Sequence, residues 1–273
     1  PMRPEMHVFL RRACKIRIFW SEMKRIIGVV LASFGVDPFK FLTLRNFPRY
    51  LTERAQFKKK YGGRLFWFPI LSDYRDAAGT MSGHYFHQDL LVAQRIFRMN
   101  PVRHVDVGGR IDGFVAHVAS FREIEVLDIR AVESNSNNIQ FSQHDFTTNM
   151  DLKTDSLSCL HTIEHFGLGR YGDHIDPEGH LKGFGNLVDS ISEGGRLYIS
   201  FPIGSEERVE FNAHRVFHPE SILEWPGAES LLLESFSFVD DAGSLHAESS
   251  IDKAVESQLT YGCGIYTFIR LSD

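Results

Sequence analysis

Val102-Arg103-His104-Val105-Asp106-Val107-Gly108-Gly109 is the stretch that decides how this chain is read. It is an apolar-rich run that ends on an acid and two glycines. A second run, Ile124-Glu125-Val126-Leu127-Asp128, follows after one helix-length segment and also ends on an acid. Asp128 stands about 20 residues beyond the glycines, the spacing of a β-α-β unit that holds a nucleoside. In such a unit the glycines let the backbone approach the ligand, and the acid receives the ribose hydroxyls. A nucleoside-containing cofactor is therefore expected.

Outward from this unit, strands and helices alternate. Residues 84–99 have helical apolar spacing, and Asn100-Pro101 ends that helix. Strand 102–107 leads to a helix near 112–121 and strand 124–129. A short strand around 139–141 precedes Gln143-His144-Asp145-Phe146, and strand 156–161 follows. A helix near 178–192 is expected to stop at Gly194-Gly195, before strand 196–201. Late strands fall at 232–239 and 264–271. No strong helix separates those two, so an antiparallel hairpin is expected there. The alternation predicts an α/β fold, a doubly wound and mostly parallel sheet covered by helices. Ligands of such sheets bind at the carboxyl ends of the strands, where Asp106, Asp128, Asp145 and His161 all fall.

The chain has 273 residues, 43% apolar and 24% charged, which suits an ordinary globular protein with a sizeable core. Lys58-Lys59-Lys60-Tyr61-Gly62-Gly63 looks like a linker, dividing a basic and apolar N-terminal helical extension, 1–63, from a main domain, 64–273. The net charge of −5 argues against nucleic acid as a partner. Residues 1–60 nevertheless hold 14 Lys/Arg against 4 acids. Residues 7–31 interleave these charges with apolar side chains. They read as a helix packed on the main domain, as a peripheral contact with an anionic membrane or partner protein, or as an unordered start. Met23-Lys24-Arg25 and the apolar run after it resemble a short signal sequence. The run is far below the ~20 residues that span a bilayer, and no small-residue cleavage site follows, so it is read as a helix. Cys14, Cys159 and Cys263 are odd in number and far apart. Neither a disulfide framework nor a structural zinc site is indicated, and the reducing cytoplasm is the expected compartment, with membrane-peripheral attachment as the variant.

Over about 102–271 the pattern resembles a class I S-adenosylmethionine-dependent methyltransferase, a Rossmann-like fold. Asp106-Val107-Gly108-Gly109 looks like the first motif, lying against the methionine part and ribose. Asp128 looks like the acid on both ribose hydroxyls, and Asp145-Phe146 like the pair that holds the adenine amine and ring face. Glu193-Gly194-Gly195-Arg196-Leu197 is similar to the helix end and strand after the fourth motif. More closely, His161–His180 with Tyr85-Phe86-His87-Gln88-Asp89 upstream resembles an uncharacterised methyltransferase-like family found beside bacterial polysaccharide-biosynthesis genes. That match reaches back to about residue 36. The resemblance implies S-adenosylmethionine as cofactor and a sugar or glycan as acceptor. Tyr85, His87 and Gln88 are expected to close the cofactor pocket from the helix before the sheet. The chain departs from the first motif at Arg110, which stands where a further glycine is usual; it either reaches the cofactor carboxylate or is solvated. A dinucleotide fits less well. It needs a full Gly-x-Gly-x-x-Gly turn, and Asp112 would place negative charge beside its phosphates.

Leu160-His161-Thr162-Ile163-Glu164-His165 is the sharpest reactive cluster. Methyl transfer to a hydroxyl requires a positioned nucleophile and removal of its proton, a task suited to a neutral histidine. His165 is expected to be the base, with His161 on cofactor or acceptor and Glu164 orienting a histidine or binding a sugar hydroxyl. The bland reading has both histidines only capping the strand and bonding the loop. His-x-x-Glu-His is also a zinc-peptidase spelling, but that chemistry needs a helix, and here the motif follows a strand and precedes Gly167 and Gly169. Arg170, Asp173, His214 and Arg215 are candidate acceptor contacts. Asp173, Asp176 and His174 have no diagnostic spacing for a divalent ion, and no metal site is expected. The rival function is a non-catalytic binding module in a glycan-assembly complex; a third is methylation of a small lipid or metabolite.

Overall fold

The computed structural model describes residues 38–133, 136–148 and 150–272. The contact expected from residues 7–31 lies outside them. The described residues fall into two compact units that part between Thr80 and Met81.

In the first unit a 3-10 segment, Pro38–Asn46, runs into helix α1, Phe47–Lys60. Pro48 sits in the first turn, where a missing N–H costs nothing. Residues 64–75 pack back on α1: Arg54 stacks over Trp67 at 4.3 Å, Arg49 over Tyr74 at 4.4 Å, and Tyr74 donates to Glu53 at 2.7 Å. These contacts carry the unit past the 63/64 division read at Gly62-Gly63.

The second unit is the doubly wound sheet. Its eight strands lie in the order β3-β2-β1-β4-β5-β10-β8-β9. They are β1 (His104–Val107), β2 (Ile124–Asp128), β3 (Ile139–Gln143), β4 (Thr154–Leu160), β5 (Ile191–Ile203), β8 (Leu231–Val239), β9 (Leu245–Ser249) and β10 (Gly262–Arg270). Strands β3 to β5 run parallel, and β10 enters antiparallel between β5 and β8. A separate two-stranded ribbon, β6 (Arg208–Glu210) with β7 (His214–Val216), stands beyond β5. Two apolar cores lie on the two faces. One packs Phe184, Leu187 and Val188 of α4 (Gly179–Ser190) against β4 and β5. The other packs Val92, Ala93 and Ile96 of α2 (His84–Met99), and Phe114, Val115 and Val118 before and in the short α3 (Ala116–Ala119), against β2 and β10.

Two expectations change. The late strands β8 and β10 are antiparallel neighbours, but β9 and a short helix, α5 (Ile251–Glu256), lie between them, so they are not a hairpin. Gly194-Gly195 does not stop a helix. Helix α4 ends at Ser190, and β5 begins at once with Ile191 opposite Thr154. The register resumes at Ser156↔Arg196, so the intervening residues bulge, and Gly194 makes the bend with φ +73°. Among the described residues no helix is long and apolar enough to cross a membrane.

Candidate functional site

The carboxyl ends of β1, β2 and β4 meet at two adjoining cavities. Asp106, next to last in β1, is fully buried and accepts from the Gly109 N–H at 2.9 Å and from the Ser158 hydroxyl. Burial pushes its carboxyl up to about 7 against those two bonds. Gly108 follows at φ +71°, with its N–H on the Leu127 carbonyl at 2.7 Å. A side chain at Gly108 would overlap Thr162, so only glycine brings the β1 turn against the β4 turn. Asp106 and Gly109 thus shape the turn, while Gly108 lines both cavities.

The first cavity is mostly apolar, with an enclosed volume of about 60 Å³. Asp128, Asp145, Phe146, His144 and Tyr171 line it. Arg130 holds Asp128 bidentately, Nε at 2.9 Å and Nη2 at 2.6 Å, and lies over the Tyr171 ring at 4.5 Å. Asp145 spends one oxygen on Thr147, from N–H at 2.9 Å and Oγ1 at 2.7 Å. His144 Nε2 is buried with no hydrogen-bond partner, a polar atom that a ligand would satisfy.

The second cavity is polar and carries Tyr85, Arg110, Arg130, His161, Glu164, His165, Arg170, Tyr171, His214 and Tyr261 among its walls. His161 leaves β4 in the left-handed region, φ +49°, unusual for a residue with a side chain and typical of functional strand ends. Its N–H is held by the Ser200 carbonyl at 2.9 Å, and its Nδ1 meets Glu164 Oε1 at 2.8 Å. Burial opposes charge on this pair. The Cys263 sulfur and Glu164 outweigh it and hold the His161 pKa well above the histidine range, while the bond from His161 holds Glu164 below the carboxylate range. His165 lies on a single 3-10 turn, Ile163–His165, so the His-x-x-Glu-His spelling forms no α-helix. Its Nδ1 donates to the Ala213 carbonyl at 2.7 Å, leaving Nε2 as the basic nitrogen, 3.7 Å from Glu164 Oε1. Burial lowers the His165 pKa, only partly offset by Glu164.

Other sequence-level candidates separate. His214 and Arg170 line the second cavity; Arg170 donates to the Ala213 carbonyl at 2.9 Å and lies over Tyr171. Arg110 is half-exposed, 3.3 Å from Asp112 and over the Tyr85 ring at 5.1 Å. Arg215 is buried and donates to the carbonyls of Glu164, Phe166 and Pro177, tying the loop after β4. Asp173 lines the first cavity, but its oxygens accept from Gly167, Gly169 and Tyr171 N–H groups and fold that same loop. Gln88 lines neither cavity; it accepts from Ser200 Oγ at 2.6 Å and docks α2 on β5. Sequence reasoning missed Arg130, Tyr171, Tyr261 and His144. Only the short step from Asp128 to Arg130 offered a signal.

Residues 116–248, just under half of the chain, match the model of a family described as Caenorhabditis protein of unknown function, DUF268. A comparison with curated proteins returned no match. Among solved structures, the chain is similar to an S-adenosylmethionine-dependent methyltransferase from Clostridium acetobutylicum ATCC 824: 12% identity, TM-score 0.48, covering 69% of this chain and 92% of that one. The N-methyltransferase NodS from Bradyrhizobium japonicum WM9, solved with S-adenosyl-L-homocysteine, gives 12% identity and TM-score 0.46, covering 70% and 89%. The [4+2]-cyclase SpnF gives 14% identity and TM-score 0.49, covering 68% and 82%.

Proposed function

We propose that the second unit is an S-adenosylmethionine-dependent methyltransferase acting on a hydroxyl of a sugar or glycan, with His165 as general base. The observation that carries this reading is the tautomer of His165: Nδ1 is committed to the Ala213 carbonyl, and the ring borders both cavities. A base of fixed tautomer between a mostly apolar pocket and a polar pocket is what proton removal during methyl transfer needs.

The residues of the first cavity fit the cofactor. Asp128 lies at the end of β2 for the ribose hydroxyls; its Oδ1 accepts from the Arg130 N–H at 2.8 Å and from Nε, while Oδ2 accepts only from Nη2 and keeps a lone pair for a ligand. Asp145, Phe146 and the unpartnered His144 Nε2 suit an adenine. When bound, the cofactor supplies an electrophilic methyl group on a sulfonium. The chain then has three tasks. The Gly108 turn gives the ligand close approach to the backbone. His165 Nε2 takes the acceptor proton. Glu164, ionised beside it, stabilises the imidazolium that results.

The acceptor class rests on the polar second cavity and on the sequence resemblance. Arg170 pairs with no carboxylate among the described residues, so its charge suits an acidic sugar. A cytoplasmic role in polysaccharide assembly, with residues 7–31 touching a membrane or partner, is the setting we infer.

Calorimetric titration with S-adenosylmethionine and S-adenosylhomocysteine tests the reading. Micromolar binding that Asp128→Ala abolishes is expected, followed by labelled-methyl transfer to glycan acceptors that His165→Ala stops. Binding without transfer to any acceptor would favour the non-catalytic module; no binding to either ligand would end the proposal.

A further inference from the structure

Behind the second cavity the His84, His161 and Cys263 side chains converge, and their donor atoms all lie within 4.8 Å of one another. They come from three distant elements: the first turn of α2, the end of β4 and the entry of β10. His161 and Cys263 are buried, and the His84 and His161 rings stack at 5.2 Å. His161 Nε2 is buried without any hydrogen-bond partner, on a ring whose other nitrogen is already used by Glu164. With only the Cys263 sulfur and the His84 ring near it, a buried imidazole nitrogen short of a geometric hydrogen bond is placed to take a ligand.

We propose that His84, His161 and Cys263 bind a zinc ion, with Glu164 as the outer partner that orients His161. Two imidazoles and a thiolate are a donor set that zinc prefers, and three protein donors leave one tetrahedral position for water or an acceptor oxygen. Ligands of a tetrahedral zinc stand roughly 3.5 Å apart, so side-chain adjustments of about an ångström close the cage. At His161 the outer partner follows the usual pattern for a ligating histidine. His161 Nδ1 meets the Glu164 carboxylate, and the His84 ring stacks on Tyr261 at 5.3 Å. Charge balance also favours it: a divalent cation is neutralised by one thiolate and the buried Glu164 carboxylate, whose Oε2 otherwise has no partner. The ion would sit beside the second cavity, which His161 and Glu164 line. It depends on these side chains alone and stands or falls apart from the methyl-transfer reading.

The test is cobalt(II) and zinc titration of the purified full chain after dialysis against a chelator. One equivalent of cobalt(II), tetrahedral d–d bands and a thiolate-to-cobalt charge-transfer band are expected, with zinc displacing the cobalt. Cys263→Ser should remove the charge-transfer band, and His84→Ala, at a half-buried helix start, should weaken zinc binding at least about 100-fold while the circular dichroism stays unchanged. Glu164→Gln should weaken it about 10- to 100-fold. No charge-transfer band in the native chain, or zinc affinity unaltered in folded His84→Ala, would overturn the proposal.

Discussion

Arg130 grips both oxygens of Asp128 from two residues further along the chain, and its guanidinium lies over the Tyr171 ring, 4.5 Å from the centroid. The acid expected to receive a ribose is thus already paired; it lines the first cavity, and Arg130 lines both. Ligand hydroxyls must share or displace a charge-assisted bond, which weakens the site relative to a free carboxylate. Arg130→Ala is therefore expected to tighten S-adenosylhomocysteine binding several-fold, whereas Asp128→Asn weakens it at least about tenfold. Calorimetry on the two variants gives opposite signs if the relationship is as described, and the same sign if Arg130 itself holds the ligand.

Methyl transfer should depend on pH through His165. Burial lowers its pKa, so the neutral base persists below the ordinary histidine range and activity falls only when the medium is more acidic than that. His165→Ala is expected to cost about 10²- to 10⁴-fold in kcat with cofactor affinity unchanged. A pH–rate profile whose acid limb lies above the ordinary histidine value would remove His165 from this role.

The β1 turn should tolerate no side chain at Gly108. Its positive φ and its contact with Thr162 both oppose alanine. Gly108→Ala is expected to destabilise the fold by roughly 3 kcal/mol. Adding Thr162→Ala relieves the overlap but not the backbone strain, so thermal unfolding of the double variant should recover part of the loss.

Acid should destabilise the sheet through His104. It is fully buried on β1, within hydrogen-bond distance of Ser156 and Ser158, and burial takes its pKa down to about 3. The unfolded chain binds a proton near the ordinary histidine value and the folded chain does not. Stability from this group is therefore complete above that value and is lost as pH falls from it toward about 3. The full loss is on the order of 5 kcal/mol. Urea unfolding across this interval, compared with His104→Gln, should show a flatter acid dependence in the variant.

Periodicity and strand-end acids made much of the second unit legible. The α2 pattern, β1, β2 and β4, and the placing of Asp128, Asp145 and His161 at strand ends all follow from local spacing. The spelling His161-Thr-Ile-Glu-His165 also showed, from its place after a strand and before glycines, that it forms no α-helix. Gly194 was misread because a glycine pair after an apolar helix looks the same whether it stops the helix or bends the strand that follows. Asp173 and Arg215 look like ligand contacts in the sequence, but the loop after β4 uses its polar groups to satisfy its own backbone.

By itself the sequence determined the alternation of strands and helices, hence the doubly wound sheet and the edge of it where ligands bind, because burying a two-residue or 3.6-residue period leaves few other arrangements. The tertiary structure decided which polar groups remain free for chemistry. It committed Gln88 to Ser200, Arg130 to Asp128 and His165 Nδ1 to Ala213, and it brought His84 and Cys263 to His161 from far along the chain. Hydrogen-bond partners of buried groups are set by which strand ends meet in space, and local spacing along the chain does not encode that meeting.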